Sequence, residues 1–247
     1  MQPALSYNAA NITDANGSGY GGVPGIFKHL ATTAGRNYSV TIEAVSGQTL
    51  AYHAANRASI ISRAGWDVVI LQEYSTLPVP AARGGNPTLF AQGLASVVQL
   101  VKSNNPNATI YLYETWPRPD QVYPTGAPYY GQDIRVMQVD LRDAYNAQSA
   151  VIKAAGIAYV GDSFVKAINA GVADGNPYDG IGTGKVDPWA SDHYHASAYG
   201  SYLSAVTIFS KVTDIDPKTV TNGAGTAAAG LGISSSVASS LQAVVWA

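Results

Sequence analysis

Residues 66–75 read WDVVILQEYS, so four consecutive aliphatic residues follow a tryptophan–aspartate pair and lead into polar side chains. A short apolar run of this kind is typical of a strand that is buried on both faces of a parallel sheet. Further predicted strands lie at 38–45, 109–113 and 157–160. Segments with helical spacing separate them, and strands that alternate with helices predict an α/β fold whose parallel sheet is covered by helices.

Apolar residues recur every three to four positions in the segments around these strands, which predicts helices. The predicted helices lie at 23–34, 50–63, 89–103, 133–155 and 235–245, with a short one ending at 170 and another that begins after Ser197. Neither an internal repeat nor a second domain is evident. Residues 1–247 are therefore predicted to form one domain, with a loop at 1–22 and a C-terminal extension at 220–247 packed on it.

The composition argues against several classes of protein. Charged residues make up 12% of the 247 residues, and the formal net charge of −2 comes without a basic run, which argues against binding to nucleic acid. Cysteine is absent, so the chain has neither a disulfide nor a thiolate metal site. No stretch is long and apolar enough to span a bilayer, and the first residues lack the features of a signal peptide. No nucleotide-binding motif is present, and no cofactor is predicted.

Polar residues follow every predicted strand. Because the carboxyl ends of parallel strands meet at one edge of a sheet, we expect these residues to converge there. They are Ser46 and Gly47, Gln72 to Ser75, Glu114 to Trp116, and Gly161 to Ser163.

Several residues at this edge are candidates for contact with a substrate. The backbone N–H of Gly47 and the side-chain amide of Gln72 could each donate a hydrogen bond to a developing oxyanion. Trp116 could stack on a substrate, and Arg118 could clamp it. Each residue also has a purely structural interpretation. Gly47 would serve a turn, and the Gln72 amide would be half-buried with its hydrogen bonds made within the protein. Trp116 would pack inward and hold its loop in place. Glu73 is as suited to bracing a loop as to chemistry.

Residues 187–202 read DPWASDHYHASAYGSY and contain two of the four histidines. Ser197 can cap a following helix, so His195 is predicted on a short loop before a helix N-terminus. The positive end of a helix disfavours imidazolium and helps to keep a histidine neutral, ready to accept a proton. Asp192, three residues upstream, can reach the other ring nitrogen and fix the tautomer. The pattern favours a catalytic pair over an exposed polar loop.

Three stretches resemble, in the same order, sequence blocks of the SGNH (GDSL-like) hydrolases. They are VSGQTL at 45–50, WDVVILQEYS at 66–75 and DHYHASAYG at 192–200. The second stretch is similar to the branch of that family in which glutamine stands in place of the usual asparagine. Together with the segment that begins at Gly21, the resemblance extends to about residue 213, which is nearly the whole chain.

The resemblance implies a flavodoxin-like three-layer α/β/α sandwich with five parallel strands. It assigns His195 as general base, Asp192 as the residue that orients it, and the Gly47 N–H and the Gln72 side chain as oxyanion donors. It also requires a nucleophilic serine in a Gly-Asp/Asn-Ser motif after a first strand, ahead of Gly21. The sequence shows no apolar strand and no such motif there, so we expect the first strand and its serine to be absent from this chain.

The function implied is that of a serine ester hydrolase acting on acyl or acetyl esters, with esters of carbohydrates as one candidate class. This chain by itself is expected to be inactive, and the full-length form is expected to be secreted or periplasmic. Ser163, in a Gly-Asp-Ser sequence, is a minor alternative for the nucleophile. Two other functions stay open: a metal-dependent phosphoesterase, and a non-catalytic glycan-binding protein. The glycan-binding alternative would use the aromatic residues Trp116, Tyr74, Tyr194 and Trp189.

Overall fold

The computed structural model describes residues 4–246, which divide into two compact units. The first unit comprises the chain up to Ile42, residues 118–134 and the chain from Asp162 onward. The second comprises residues 43–117 and 135–161. The ends of the predicted N-terminal loop and C-terminal extension, at 1–3 and 247, lie outside the described residues. The assignment of the chain to one domain stays a prediction.

Five strands and nine α-helices form within the described residues. The strands are β1 (Thr13–Asp14), β2 (Thr41–Ile42), β3 (Val68–Gln72), β4 (Thr109–Glu114) and β5 (Gly156–Tyr159). The helices are α1 (Gly22–Thr33), α2 (Leu50–Asn56), α3 (Ala58–Ile61), α4 (Pro87–Asn104), α5 (Ile134–Ile152), α6 (Val160–Asn169), α7 (Ala198–Thr213), α8 (Ala227–Gly230) and α9 (Ser235–Val245).

The second unit is built on a parallel sheet of order β3-β4-β5, and its three strands confirm the strands predicted from the apolar runs. Leu71 of β3 pairs with Leu112 of β4, which pairs in turn with Ile157 of β5. These three residues belong to a buried apolar cluster that also contains Phe90 of α4 and Tyr145 of α5. Strands buried between helices explain why the sequence shows continuous apolar runs rather than alternation.

In the first unit, β1 and β2 form a short parallel pair, and α1 packs against α7. Helix α7 is buried at every position from 200 to 210, so it forms the centre of this unit. Gly200 is required at its start, because a Cβ there would lie 2.1 Å from the carbonyl oxygen of Pro188. This close approach seats the loop that precedes α7 directly on the helix.

The strand order and helix positions confirm the predicted α/β class, with parallel sheets flanked by helices. The predicted loop at 1–22 differs from the structure, because it contains β1 and a 3₁₀ turn at Ala9–Asn11. The pairing of β1 depends on backbone bonds, in which the Thr13 N–H donates to the Val40 carbonyl and the Ala15 N–H to the Ile42 carbonyl. Such bonds leave no apolar pattern in the sequence.

Two other predicted elements are shorter than expected. The strand predicted at 38–45 is limited to Thr41–Ile42, since its partner β1 pairs over only two residues. The helix predicted at 50–63 is divided into α2 and α3 at Arg57, where φ is −130° and ψ is 18°. Within residues 4–246, no helix is both long and apolar enough to cross a bilayer.

Candidate active site

The structure brings Asp192 and His195 together in the first unit. The Nδ1 atom of His195 lies 2.7 Å from Oδ2 of Asp192. The other carboxylate oxygen, Oδ1, accepts hydrogen bonds from the backbone N–H of Tyr194 (3.0 Å) and of His195 (2.9 Å). One carboxylate therefore folds the turn and faces the imidazole, as the three-residue spacing predicts.

The loop that carries this pair is closed by backbone hydrogen bonds. Trp189 and Ala196 form an antiparallel bridge, and the Ala190 N–H donates to the His195 carbonyl at 2.7 Å. The turn needs a left-handed residue, and His193 takes that conformation with φ of 55°. The ring of His193 packs against Tyr178 at 4.3 Å between centroids. Two neighbouring histidines thus have different surroundings, and only His195 faces the aspartate.

Helix α7 begins directly after this loop, and Ser197 caps it as predicted. The Ser197 hydroxyl accepts from the N–H groups of Tyr199 (3.1 Å) and Gly200 (3.3 Å) and donates to the Asp187 carbonyl (2.7 Å). His195 lies two residues before the cap. The N-terminal end of the helix carries partial positive charge.

The carboxyl group of Asp192 is a stable anion. Partial burial raises its pKa, but hydrogen bonds from the His195 ring and from the N–H groups of His195 and Tyr194 lower it further, to about 2. The side chains of Asp192 and His195 are 48% and 37% exposed. The pair is therefore both ordered by hydrogen bonds and open to a ligand.

A stack of three side chains supports His195. The rings of Tyr194 and His195 lie 4.0 Å apart at an interplanar angle of 23°. The guanidinium carbon of Arg118 lies 3.4 Å from the centroid of the same Tyr194 ring. Two groups at these distances must occupy opposite faces, so both faces of Tyr194 are covered. Sequence reasoning placed Tyr194 in a glycan pocket and missed this bracing role, which has no pattern in the sequence.

Arg118 is held within the protein. Its Nε and Nη2 atoms contact the two carboxylate oxygens of Asp120 at 2.9 and 2.5 Å, and the residue is only 5% exposed. This fork geometry is characteristic of arginine and fixes the guanidinium plane. The structure supports the bracing of a loop and gives no support to a substrate clamp at Arg118.

The residues predicted as oxyanion donors lie in the second unit. Gly47 is exposed and has φ of 73°, in a turn where the Gln48 N–H donates to the Val45 carbonyl. Gln72 is the last residue of β3 and is also exposed. Trp116 is only 8% exposed, with its ring 6.4 Å from that of Tyr113. The donor and stacking roles of these three residues stay predictions.

Glu73, next to Gln72, is 1% exposed. Burial raises the pKa of its carboxyl to about 7, although hydrogen bonds from the N–H groups of Tyr74 and Leu50 lower it. The sequence left its role open because a glutamate after a strand is usually exposed. Its burial depends in part on Tyr145, a residue 72 positions away whose hydroxyl lies 3.4 Å from the Glu73 nitrogen.

Ser163, the minor candidate for the nucleophile, is buried. It is 5% exposed, lies within α6, and accepts a hydrogen bond of 2.9 Å from the Thr207 hydroxyl. A nucleophile must be open to its substrate, so this environment does not support the role. Within residues 4–246, no group of three or more His, Asp or Glu side chains is placed to hold a metal ion.

Comparison with known proteins identifies the fold. No family model and no curated protein matches the chain. A DUF4886 family protein from Bacteroides uniformis ATCC 8492 superposes with a TM-score of 0.69 and 16% identity, over 89% of this chain and 86% of that one. A proposed SGNH hydrolase from Slackia heliotrinireducens superposes with a TM-score of 0.55 and 23% identity, over 81% of this chain and 96% of that one. The fold is SGNH-like. At these identities the similarity concerns the fold alone.

Proposed function

We propose that this SGNH-like chain carries the general base of a serine ester hydrolase that acts on acyl or acetyl esters, with carbohydrate esters as one candidate class. The observation that carries the proposal is the 2.7 Å contact between His195 Nδ1 and Asp192 Oδ2, directly before the capped N-terminus of α7. The fold also resembles that of a proposed hydrolase.

The chemistry follows from the ionisation of the pair. Asp192 is ionised and can only accept hydrogen bonds, so Nδ1 of His195 carries the proton that it donates. The Nε2 atom is then free of a proton and can accept one from a serine hydroxyl as that hydroxyl attacks an ester carbonyl. The carboxylate stabilises the imidazolium that forms, and His195 returns the proton to the departing alcohol. Water then attacks the acyl-serine with the help of the same base and releases the acid.

The nucleophile and the oxyanion donors of this proposal come from the family resemblance. The resemblance implies a serine in a Gly-Asp/Asn-Ser motif, and assigns the Gly47 N–H and the Gln72 amide as donors to the tetrahedral oxyanion. Both donor residues are exposed, as this role requires. Each such donor contributes about 10²–10³-fold in rate when it is well placed.

The burial of aromatic residues favours the hydrolase over a glycan-binding protein. Sugar rings bind to open aromatic faces. Trp189 and Trp116 are 1% and 8% exposed, and both faces of Tyr194 are covered by Arg118 and His195. Of the four aromatic residues considered for glycan binding, Tyr74 and Tyr194 are half-exposed, and the ring of Tyr194 is already covered on both faces.

Hydrolysis of 4-nitrophenyl acetate tests the proposal in two forms of the protein: this chain, and a form extended by the residues encoded directly upstream of Met1. We expect turnover that His195→Ala reduces by at least about 10²-fold in kcat/KM, because the general base is lost. His193→Asn is the matched control. It removes the neighbouring imidazole, and asparagine tolerates the left-handed backbone at this position.

Two results would contradict the hydrolase. One is the absence of turnover in both forms, across acetyl, butyryl and acetylated-sugar substrates. The other is turnover that His195→Ala leaves unchanged. Binding of glycans that survives His195→Ala, without turnover, would favour the non-catalytic alternative.

A further inference from the structure

Glu73 forms an unusual contact at the carboxyl end of β3. Its Oε1 atom accepts two backbone hydrogen bonds, from the Leu50 N–H at 3.1 Å and from the Tyr74 N–H at 2.6 Å. Its Oε2 atom is buried and has no hydrogen-bond partner among residues 4–246. With 1% exposure, the carboxyl group is separated from solvent. A buried carboxyl with one unbonded oxygen is costly, so it requires an explanation.

The two amides bonded to Oε1 belong to the two segments that carry the predicted oxyanion donors. Leu50 is the first residue of α2 and lies three residues after Gly47. Tyr74 follows Glu73, which follows Gln72 at the end of β3. A single carboxylate oxygen therefore ties the turn of Gly47 to the strand end of Gln72, within the second unit.

We propose that Glu73 is a positioning residue that sets the spacing between the Gly47 N–H and the Gln72 amide; this inference rests on the proposed function. Donors in an oxyanion site act at about 2.7–3.1 Å, and a misplacement of about 1 Å costs roughly 10²-fold in rate. The turn of Gly47 is exposed, and the hydrogen bond that Glu73 accepts from the Leu50 N–H joins the segment after this turn to the end of β3. Glu73 thus acts on the donors without touching the substrate.

The groups around Glu73 allow it to hold the Leu50 and Tyr74 amides whether its carboxyl group is charged or neutral. Tyr145 of α5 approaches from one side, and Glu114 at the end of β4 interacts with the same tyrosine. Leu50 donates its backbone N–H. A proton on the carboxyl belongs on Oε2, because Oε1 is occupied by two donors. The two hydrogen bonds that Oε1 accepts from Leu50 and Tyr74, called the clamp below, therefore persist whether Glu73 is charged or neutral. A glutamine can reproduce them.

Three substitutions test the clamp. Glu73→Leu removes both oxygens at similar size, Glu73→Asp shortens the side chain so that it cannot reach both amides, and Glu73→Gln retains the accepting oxygen. For each, amide hydrogen exchange of Leu50 and Tyr74 is measured by NMR, with Val97 of α4 as the internal reference, and esterase kinetics are measured in the form that turns over.

In Glu73→Leu we expect exchange at Leu50 and Tyr74 to become at least about tenfold faster than at Val97, since both amides lose their acceptor. We expect kcat to fall by about 10–10²-fold while KM changes little, because oxyanion donors act in the transition state. Glu73→Gln is expected to restore both properties to within about threefold. Should Glu73→Leu not fold, Glu73→Asp is expected to show the same loss in smaller degree.

Normal kcat in Glu73→Leu or Glu73→Asp, with fast exchange at Leu50, would overturn the positioning role and leave a merely structural one. Failure of Glu73→Gln to restore kcat in a folded protein would also overturn it, because the charge and not the clamp would then matter. Absence of hydrolysis in every form overturns the proposed function instead, and exchange at Leu50 still decides whether Glu73 holds the start of α2.

Discussion

Asp192 and Glu73 are the same kind of acid in opposite environments. Asp192 is 48% exposed and its carboxylate receives three hydrogen bonds, so its pKa lies at about 2. Glu73 is 1% exposed and receives two hydrogen bonds on one oxygen only, so its pKa lies at about 7. The comparison shows that hydrogen-bond donors determine the direction of the pKa shift where water still reaches the carboxyl group, whereas burial determines it where water does not.

The two environments suit two tasks. A permanent anion next to an imidazole fixes its tautomer and stabilises its positive charge, which is what a general base requires. A buried carboxyl that holds amides through one oxygen fixes backbone geometry, and its charge is incidental. The following predictions separate the two tasks, beginning with the largest effect.

Asp192→Asn removes the charge and keeps an oxygen that can accept from the Tyr194 and His195 N–H groups. The new amide would donate toward Nδ1 and favour the wrong imidazole tautomer. We expect kcat/KM for ester hydrolysis to fall by about 10³–10⁴-fold while the thermal midpoint changes little. Steady-state kinetics and a thermal melt of the same preparation check this. Retention of more than a tenth of the activity would show that the charge of Asp192 is not used.

The stability of the protein should depend on pH through Glu73. Because its pKa is raised from 4.5 to about 7, the folded state holds a proton that the unfolded state loses first. The free energy of unfolding should therefore fall as pH rises from 4.5 to about 7, by about 3 kcal/mol, and then level off. Urea unfolding at about pH 5 and about pH 8 measures it. Glu73→Gln should lack this part of the pH dependence, and identical slopes in both proteins would refute the assignment.

Substitution of Tyr194 is expected to have the smallest effect, and it tests whether this ring supports the exposed Asp192–His195 pair. Tyr194→Leu removes the ring between Arg118 and His195, and we expect kcat/KM to fall by about 3–10-fold, since aromatic stacking contributes about 0.5–1.5 kcal/mol. Tyr194→Phe keeps the ring and should behave like the unmodified protein. Equal losses in both variants would indicate that the hydroxyl, not the stack, is what matters.

Much of the fold was predictable because it depends on local pattern. The apolar runs predicted β3, β4 and β5 within one residue at each end, and the cap at Ser197 located the start of α7. The pair of β1 and β2 was not predicted in this form. Each strand is only two residues long and the two are joined by backbone hydrogen bonds, which no side-chain pattern records.

The candidate site likewise has features that were predictable from the local sequence and features that were not. The contact between Asp192 and His195 was predictable, because two side chains three residues apart on a tight turn can adopt few relative positions. The burial of Trp116, Trp189 and Glu73 was not. Phe164 packs on Trp189 and Tyr145 approaches Glu73, and both of these partners are distant in the chain. These burials weakened the glycan-binding alternative and gave Glu73 a role that the sequence left undecided.

By itself, the sequence determined the elements and contacts whose partners are near in the chain: the three buried strands, the helix cap, and the acid–imidazole pair. The tertiary structure alone decided which polar groups lose their water. Tyr145 comes to Glu73 from 72 residues away and Leu50 from 23 residues away. A side chain's solvation depends on everything packed around it, and that packing is a property of the folded chain rather than of any one segment.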